Sequence, residues 1–186
     1  MVMDPPLNGS QAELGLPNNV ASPEAIKAWT DPKNVELFTS LQIMKSSEIS
    51  SRQSILWDQY NKDILVEART MRALCTERIL PAVFRAQTQF SSSLSALPGQ
   101  DITHQVSYVS YMSEEINNSI KALNKLNQVI DTVNGIKNEE QISYFCRDDI
   151  IPAMNELRFH VDNLEKIVDY HDWPLPNYTA MFFNQS

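Results

Sequence analysis

The sequence predicts an all-α fold: an antiparallel three-long-helix bundle with kinked helices, short N-terminal helices and an extended aromatic C-terminal tail. Three observations support this prediction. Apolar residues recur at helical spacing over three long stretches. The chain has only 4 glycines in 186 residues, which is few for a turn-rich β-fold. No stretch shows the convincing apolar–polar alternation of a strand.

One helical domain is predicted to occupy most of the chain. A length of 186 residues is close to that of a single domain and is sufficient for a real core. Residues 1–15 are of mixed composition and contain Asp4-Pro5-Pro6, so we expect a flexible lead-in there. Residues 16–186 are then expected to form the single domain.

Two helix-start signals precede the first long helix. Ser22-Pro23-Glu24 combines a capping residue, a proline at the first helical position and an early acid. Asp31-Pro32 repeats the signal. We therefore expect short helices within residues 22–43, packed against a longer neighbour.

The longest helix is predicted over residues 47–97, and the rest of the chain is organised around it. Ser46 and Ser47 are candidate caps, and Glu48 in the first turn suits the helix dipole. Pro81 removes one backbone hydrogen bond and is expected to kink the helix. The apolar stripe consists of Ile49, Leu56, Tyr60, Ile64, Met71, Leu74, Ile79, Val83, Ala86, Phe90, Leu94 and Leu97.

A second long helix is predicted over residues 103–133. Leu97-Pro98-Gly99 ends the first helix, and Asp101 or Thr103 starts the next. Because the turn is short, we expect this helix to run antiparallel to the first. Its apolar residues alternate by three and four positions, as in a coiled-coil seam: Val106, Val109, Met112, Ile116, Ile120, Leu123, Leu126, Ile130 and Val133.

The third long helix is predicted over residues 138–170 and is interrupted by Pro152. Asp148 and Asp149 are candidate caps of a restarted helix, which would leave Pro152 in a tolerated first turn. The helix is therefore expected to be kinked or broken at this proline. Its stripe is Ile142, Phe145, Ile150, Met154, Leu157, Val161, Leu164 and Val168.

The tail, residues 171–186, is predicted to be extended. Two prolines two positions apart exclude a helix, and the aromatic content is too large to leave in water. We expect the tail to pack on the bundle or on another surface. The candidate packing and interface residues of the whole chain are Pro81, Leu123, Trp173, Pro174, Pro176 and Tyr178.

Charge and composition exclude several classes of binding partner and location. A net charge of −8 disfavours nucleic acid and anionic membrane surfaces. No leader segment and no apolar run near the ~18–20 residues of a membrane span are visible, so we expect a cytoplasmic protein. Cys75 and Cys146 lie on or beside apolar helix faces and are interpreted as reduced core residues.

The sequence presents no catalytic, cofactor-binding or metal-binding motif. Three positions before each histidine there is no glutamate, so the Glu-x-x-His pattern of di-iron bundles is missing. Glu156 and His160 share one helical face, which favours a surface hydrogen-bonded pair over a zinc site. Asp148-Asp149 is a weak alternative cation site. Phosphate loops, dinucleotide fingerprints and nucleophile elbows are likewise missing.

Several short motifs, taken together, resemble a known family over residues 14–183. The most specific are Glu67-Ala68-Arg69-Thr70-Met71, Ile79-Leu80-Pro81-Ala82-Val83 and the ending Trp173-Pro174-Leu175-Pro176-Asn177-Tyr178. Their order and spacing resemble the C-terminal helical region of type III glutamine synthetase. Leu16-Pro17, Glu36-Leu37-Phe38 and Val161-Asp162-Asn163-Leu164-Glu165 extend the likeness.

The resemblance implies a parent enzyme in nitrogen metabolism: a large cytoplasmic homo-oligomer of stacked rings. That family is a ligase that joins ammonia to glutamate with ATP and Mg²⁺ or Mn²⁺. Its metal-binding glutamates, its Asn-Gly-x-Gly-x-His segment and its phosphate-binding arginines precede the matched region, and those motifs do not occur here. No catalytic residue is transferred to this chain, and none of these cofactors is expected in it.

Two functional hypotheses follow. In the first, the chain is a fragment of a type III glutamine synthetase, inactive alone, whose partners are the catalytic portion or the subunits of that enzyme. In the second, it is a free-standing helical interaction or adaptor module that binds a partner through its long helix or aromatic tail. A metalloenzyme bundle is a minor third alternative.

Overall fold

Four helices have a proline in their first turn in the computed structural model of this chain, which describes residues 21–176. These residues are all-α and contain no strand, which confirms the predicted class. Helix α1 spans Ser22–Lys27 and continues into a short 3₁₀ turn, Ala28–Thr30. Helix α2 spans Pro32–Ser40, with its proline in the first turn. The short helices predicted within residues 22–43 are therefore present.

The predicted helix over residues 47–97 consists of three parts. Helix α3 spans Ser46–Leu74, a π-helical segment follows at Cys75–Ile79, and helix α4 spans Leu80–Ser95. At the start of α3, the Glu48 carboxylate accepts the backbone N–H of Lys45 at 2.7 Å, as in half of a capping box. The side chain that caps this end of α3 is therefore that of Glu48, three residues after Lys45.

The second predicted helix has the predicted bounds, and the third does not. Helix α5 spans Thr103–Val133, preceded by a turn in which Gly99 has a φ of +83°. Helix α6 spans Glu139–Phe145, a second π-helical segment follows at Cys146–Ile150, and α7 spans Ile151–Glu165. The long C-terminal helix predicted to reach residue 170 therefore ends five residues earlier.

The two π-helical segments share a sequence pattern. Cys75-Thr-Glu-Arg-Ile-Leu-Pro-Ala-Val83 and Cys146-Arg-Asp-Asp-Ile-Ile-Pro-Ala-Met154 have four identical residues, Cys, Ile, Pro and Ala, at matching positions. In each copy the cysteine, isoleucine and alanine are buried and the proline is exposed. The N–H of Leu80 donates to the carbonyl of Cys75, five residues back, the spacing of a π turn.

Each π-helical segment ends two residues before a proline, which lacks the N–H of a regular α-helical turn. The predicted cap at Asp148 and Asp149 is wrong, because both residues lie inside the second π-helical segment. The helix there is widened by one residue, so it needs no new N-terminal cap. Both interior prolines are thus accommodated by a π-helical segment that precedes them.

Residue contacts group the chain into two compact units, each described by itself. The described residues of unit 1 are 21–64 and 136–148, and those of unit 2 are 65–135 and 149–176. The single domain over residues 16–186 stays a prediction beside this grouping. In unit 1, α1 packs against α6. In unit 2, α5 packs against both α4 and α7.

Side-chain pairs give the helix directions in unit 2. Gln87 donates to Ser113 at 3.0 Å, and the rings of Phe90 and Tyr108 lie 6.0 Å apart, so α4 and α5 run antiparallel. Lys125 pairs with Glu156 at 2.6 Å, whereas His160 lies 2.9 Å from Glu115, so α5 and α7 are also antiparallel. Helix α5 accordingly buries residues on two faces: Met112, Glu115, Ile116, Ser119, Ala122, Leu123, Leu126, Ile130 and Val133.

Candidate functional site

The predicted packing residues fall into three different environments. Leu123 lies on the buried seam of α5 and is 6% exposed. Pro81, although near the core, has an exposed ring, so its contribution is to the backbone. Trp173 is 8% exposed and lies in a cluster with both α4 and α5 residues. Tyr178, together with the rest of the predicted tail beyond Pro176, lies outside the described residues.

Trp173 is brought to its position by a tight turn after α7. The carboxylate of Asp169 accepts the backbone N–H of His171 at 2.8 Å, and its carbonyl accepts the N–H of Trp173 at 3.0 Å. The indole then packs in the apolar core of unit 2. That core contains Ile79, Val83, Ala86, Met112, Ile116, Leu164, Ile167 and Val168.

The prolines of the tail differ in burial. Pro174 is half-buried and Pro176 is exposed, while Leu175 between them packs against the same cluster as Trp173. The indole N–H of Trp173 is buried and has no hydrogen-bond partner among residues 21–176. In the described part of the tail, the aromatic residue therefore serves as an apolar anchor of unit 2.

A polar pair not anticipated from the sequence lies between α5 and α7. Glu115 is 7% exposed, and its Oε2 lies 2.9 Å from Nδ1 of His160. The side-chain amide of Asn163 donates to the same oxygen at 3.4 Å. A buried carboxylate is stabilised by such partners, and the pair fixes the register of the two helices.

Unit 1 contains a second buried polar group, around Asn61. The amide of Asn61 donates to the carbonyl of Glu139 at 3.0 Å, and its oxygen accepts the Ser143 hydroxyl at 2.6 Å. Gln53, two turns earlier on α3, reaches Thr30 at 2.9 Å and the carbonyl of Ile26 at 3.1 Å at the end of α1. Helix α3 thus connects to both neighbouring helices of unit 1 through amide side chains.

The role of these amides was not predicted, because the predicted apolar stripe of the first long helix does not coincide with the face that is buried. Leu56 and Tyr60 are only half-buried, whereas Trp57, Asn61 and Ala68 are buried. Asn61, Ala68 and Cys75 follow one another at intervals of seven residues, and this spacing could have indicated the buried face.

Arg147 is the centre of a charged cluster in unit 1. Its guanidinium pairs with Glu24, binds Asp148 through Nε at 2.6 Å and Nη2 at 2.7 Å, and lies 4.8 Å from the centre of the Tyr144 ring. The hydrogen bonds from Arg147 lower the pKa of Asp148. Lys27 pairs with Glu140 at 2.9 Å, which joins α1 to α6 a second time.

The side chains of residues 21–176 do not form a site suited to a divalent metal ion. Among them there is no group of three His, Cys, Asp or Glu residues suited to one ion. The predicted Glu156–His160 pair is wrong, because Glu156 binds Lys125 and His160 binds Glu115. Asp148, the other candidate, has both carboxylate oxygens bound to Arg147.

The two cysteines are free and buried, as predicted. Burial raises the pKa of the Cys75 thiol to about 11, and that of Cys146 to about 11 as well. Both therefore stay protonated at neutral pH, which makes them poor nucleophiles and poor metal ligands. No helix within residues 21–176 has the length and apolar character of a bilayer span.

Comparison with known proteins gives a consistent set of relatives. Residues 10–97 match the family model described as the glutamine synthetase C-terminal domain. A type-3 glutamine synthetase from Dictyostelium discoideum is 33% identical over 177 residues, an alignment that covers 91% of this chain and 24% of that protein.

Two bacterial proteins are similar over the same extent. The glutamine synthetase of Butyrivibrio fibrisolvens is 25% identical, covering 93% of this chain and 25% of that protein. That of Bacteroides fragilis (strain YCH46) is 22% identical, covering 94% and 25%. The chain thus spans about a quarter of the length of the curated relatives it matches.

Proposed function

Because this chain is homologous to the C-terminal helical region of type III glutamine synthetases, we propose that it is a non-catalytic structural part of such an enzyme. Its role is to pack against the catalytic portion, or against other subunits, and to support their assembly into a homo-oligomer. The observation that carries the proposal is the alignment of 91% of this chain with a quarter of a type-3 glutamine synthetase.

The chemistry of the described side chains supports a structural role. The buried polar residues Glu115, Asn61 and Ser143 are each bonded to a neighbouring helix, an arrangement that holds helices in register. ATP, the divalent metal and glutamate are assigned by this proposal to the other three quarters of the polypeptide. The parent reaction would take place in the cytoplasm.

We also propose that the three long helical stretches form one antiparallel bundle. Support comes from unit 2, in which α5 is antiparallel to α4 and to α7. A bundle of this kind presents a rigid scaffold, which suits an element that fixes the position of a larger catalytic body.

The test is a chimera of the Dictyostelium discoideum enzyme in which this chain replaces the matching quarter. Its oligomeric state is measured by light scattering and its activity by glutamine formation. The matched controls are the intact enzyme and the same enzyme with that quarter deleted. We expect the chimera to assemble and to form glutamine, and the deleted enzyme to do neither.

Two results would contradict the proposal. If the chimera assembles no better than the enzyme with the deleted quarter, the proposed structural role is wrong. Glutamine formation by this chain alone, from glutamate, ammonia and ATP, places catalysis within it. If this chain instead binds an unrelated protein tightly and leaves the chimera unassembled, the adaptor hypothesis takes its place.

A further inference from the structure

The end of the α4–α5 hairpin lacks a third layer of packing. Residues 87–111, all of which the structure describes, contain no buried residue, whereas Ala86 and Met112 on either side of them are buried. The stretch comprises the last turns of α4, the connecting turn and the first turns of α5. Two helices cover each other along one line only, so apolar side chains beside that line stay exposed unless a third element packs there. The exposed large apolar side chains of this stretch are Val106, Tyr108 and Tyr111.

The third layer is missing because α7 is short. Farther along α5, Glu115 lies 2.9 Å from His160 of α7. Leu164 shares a buried cluster with Met112, and α7 ends one residue later, at Glu165. Tyr111 and Tyr108 precede Glu115 by four and seven residues, so they continue the face of α5 that packs on α7. These two tyrosines therefore lie on the face that a longer α7 would cover.

Three aromatic side chains form this open surface, which we call the aromatic strip: Phe90 of α4 with Tyr108 and Tyr111 of α5. The rings of Phe90 and Tyr108 lie 6.0 Å apart, edge to face, which joins the two helices. Phe90 also packs against the buried cluster that contains Trp173. Tyr108 and Tyr111 are 46% and 44% exposed. The strip is thus an extension of the core of unit 2 that is open on one side.

Few charges lie near the aromatic strip. Asp101 is the only Asp, Glu, Lys or Arg from residue 87 to residue 111, in a chain of which 20% is charged. Its carboxylate accepts the N–H of Thr103 at 3.1 Å and the hydroxyl of the same residue at 2.8 Å. A charged partner would gain little electrostatic attraction at such a surface. An uncharged segment with aromatic or other apolar side chains suits it better.

The chain itself carries such a segment to the edge of the strip. Leu175 packs against the same cluster as Phe90, and Pro176 is the only residue between Leu175 and residues 177–186. Those residues contain no charged side chain and include Tyr178, Met181, Phe182 and Phe183. Extended at ~3.3 Å per residue they reach roughly 33 Å, whereas α5 rises only about 6 Å from Met112 to Tyr108. The segment is therefore long enough to cover the strip.

We propose that the aromatic strip is the docking surface for residues 178–183 of this same chain. The apolar side chains of that segment take the place of the third layer beyond the end of α7. Three observations support this occupant: the position of Leu175 beside Phe90, the length of the segment, and the lack of charge on both surfaces. Because both parts belong to one chain, the segment is present at high effective concentration.

The test is backbone hydrogen exchange at residues 107–111 of the full chain. The variant replaces the apolar tail side chains at unchanged length: Tyr178→Ser, Met181→Ser, Phe182→Ser and Phe183→Ser together. We expect exchange at residues 107–111 to become about three- to tenfold faster, because the start of α5 loses its cover. Residues 122–126 of the same helix should keep their rates, since Trp173 and Leu175 remain in place.

The matched control replaces polar residues of the same segment: Asn177→Ser, Thr179→Ser, Asn184→Ser and Gln185→Ser together. It should leave exchange at residues 107–111 unchanged. In a Tyr108→Ser/Tyr111→Ser background, the apolar tail substitutions should have no further effect. Equal exchange with and without the apolar tail side chains would overturn the proposal. So would an acceleration of the same size at residues 122–126, because docking on the strip is local.

A photo-crosslinking amino acid at Phe182 identifies the surface that the tail contacts. We expect crosslinks within one chain to residues 104–111 of α5 or to Phe90, at a yield that does not depend on protein concentration. Crosslinks between two copies, or to a different surface, would overturn docking of the tail on its own strip. Because these experiments use this chain alone, their outcome is independent of whether the chain supports assembly of an enzyme.

Discussion

The Ser143 hydroxyl donates a 2.6 Å hydrogen bond to the side-chain oxygen of Asn61, across 82 positions of sequence, and both residues are buried. Asn61 also donates to the carbonyl of Glu139, so one amide satisfies two groups of α6. Truncation of Asn61 removes both of these bonds in a place that water reaches poorly, and leaves the Ser143 hydroxyl with its 3.0 Å bond to the Glu139 carbonyl.

We therefore expect Asn61→Ala to lower the free energy of unfolding by about 2 kcal/mol and Ser143→Ala by about 1 kcal/mol. The double variant should lose less than the sum, with a coupling of at least ~0.5 kcal/mol. Urea unfolding of the four proteins measures both quantities. Strict additivity would contradict the bond, and Gln59→Ala on the exposed face of α3 is the control.

Leu123→Asp should abolish cooperative folding of unit 2. Leu123 is 6% exposed on the seam of α5, where a carboxylate would be buried without a partner. Circular dichroism during heating detects the loss of the transition. Asn124→Asp, at the exposed neighbouring position, introduces the same charge and should leave the melting temperature nearly unchanged. An unchanged transition in Leu123→Asp would refute the seam.

Trp173→Ala should destabilise the chain by about 3–5 kcal/mol, since it removes a large aromatic side chain from a packed core. Trp173→Phe keeps most of the apolar contact and removes only an N–H without a partner in the described part of the chain, so it should cost clearly less. Truncation after His171 should resemble the alanine variant and increase the binding of a hydrophobic dye. Equal stability of all three would contradict the anchoring role.

Deletion of the exposed residue Thr76 should unfold the protein or cost several kcal/mol. The π-helical segment at Cys75–Ile79 contains one residue more than a regular turn, and removing it rotates everything after it by about 100°. Pro81→Ala restores a donor and keeps the register, so we expect a change below about 1 kcal/mol.

Deletion of Gln100, in the turn before α5, is the control for the loss of one residue. It should be tolerated much better, because turns absorb length changes. Equal melting temperatures of the Thr76 and Gln100 deletions would show that the extra residue of the π turn is dispensable.

Alkaline pH should destabilise the chain through its two thiols. Their pKa is raised to about 11 in the folded state from the usual 9.0, so the folded state holds these protons more tightly than the unfolded state does. This stabilisation is complete below pH 9 and is lost as the pH rises through about 11. The free energy of unfolding should therefore fall between pH 9 and 11, and fall less in a Cys75→Ala/Cys146→Ala variant. An equal fall in both proteins would contradict the assignment.

Helix positions were predictable because their ends depend on local chemistry. Asp101 accepts both the N–H and the hydroxyl of Thr103, and Asn134-Gly135 stops the other end of α5, so the predicted bounds of this helix match the observed ones. Its seam from Met112 to Val133 was also predictable, since large aliphatic residues alternate there by three and four positions.

Features that depend on tertiary contacts were not predictable in the same way. Asn61 and Ala68 are not of the residue types that predict a core position. Their burial depends on the neighbouring side chains in their own units, which for Asn61 come from α6. Pro81 and Pro152 indicate only that a donor is missing. A kink, a restart and a π turn all accommodate that loss, and the buried residues on either side select the π turn.

The division of unit 1 into residues 21–64 and 136–148 has a consequence for biosynthesis. During translation at ~5–20 residues per second, the first part waits several seconds before Ser143 is made. Through that interval Asn61 and Trp57 lack their partners Ser143 and Tyr144. Unit 2 interrupts the sequence of unit 1, so its early collapse would shorten the loop that must close. The order in which the ribosome releases the chain thus favours completing the inserted segment first.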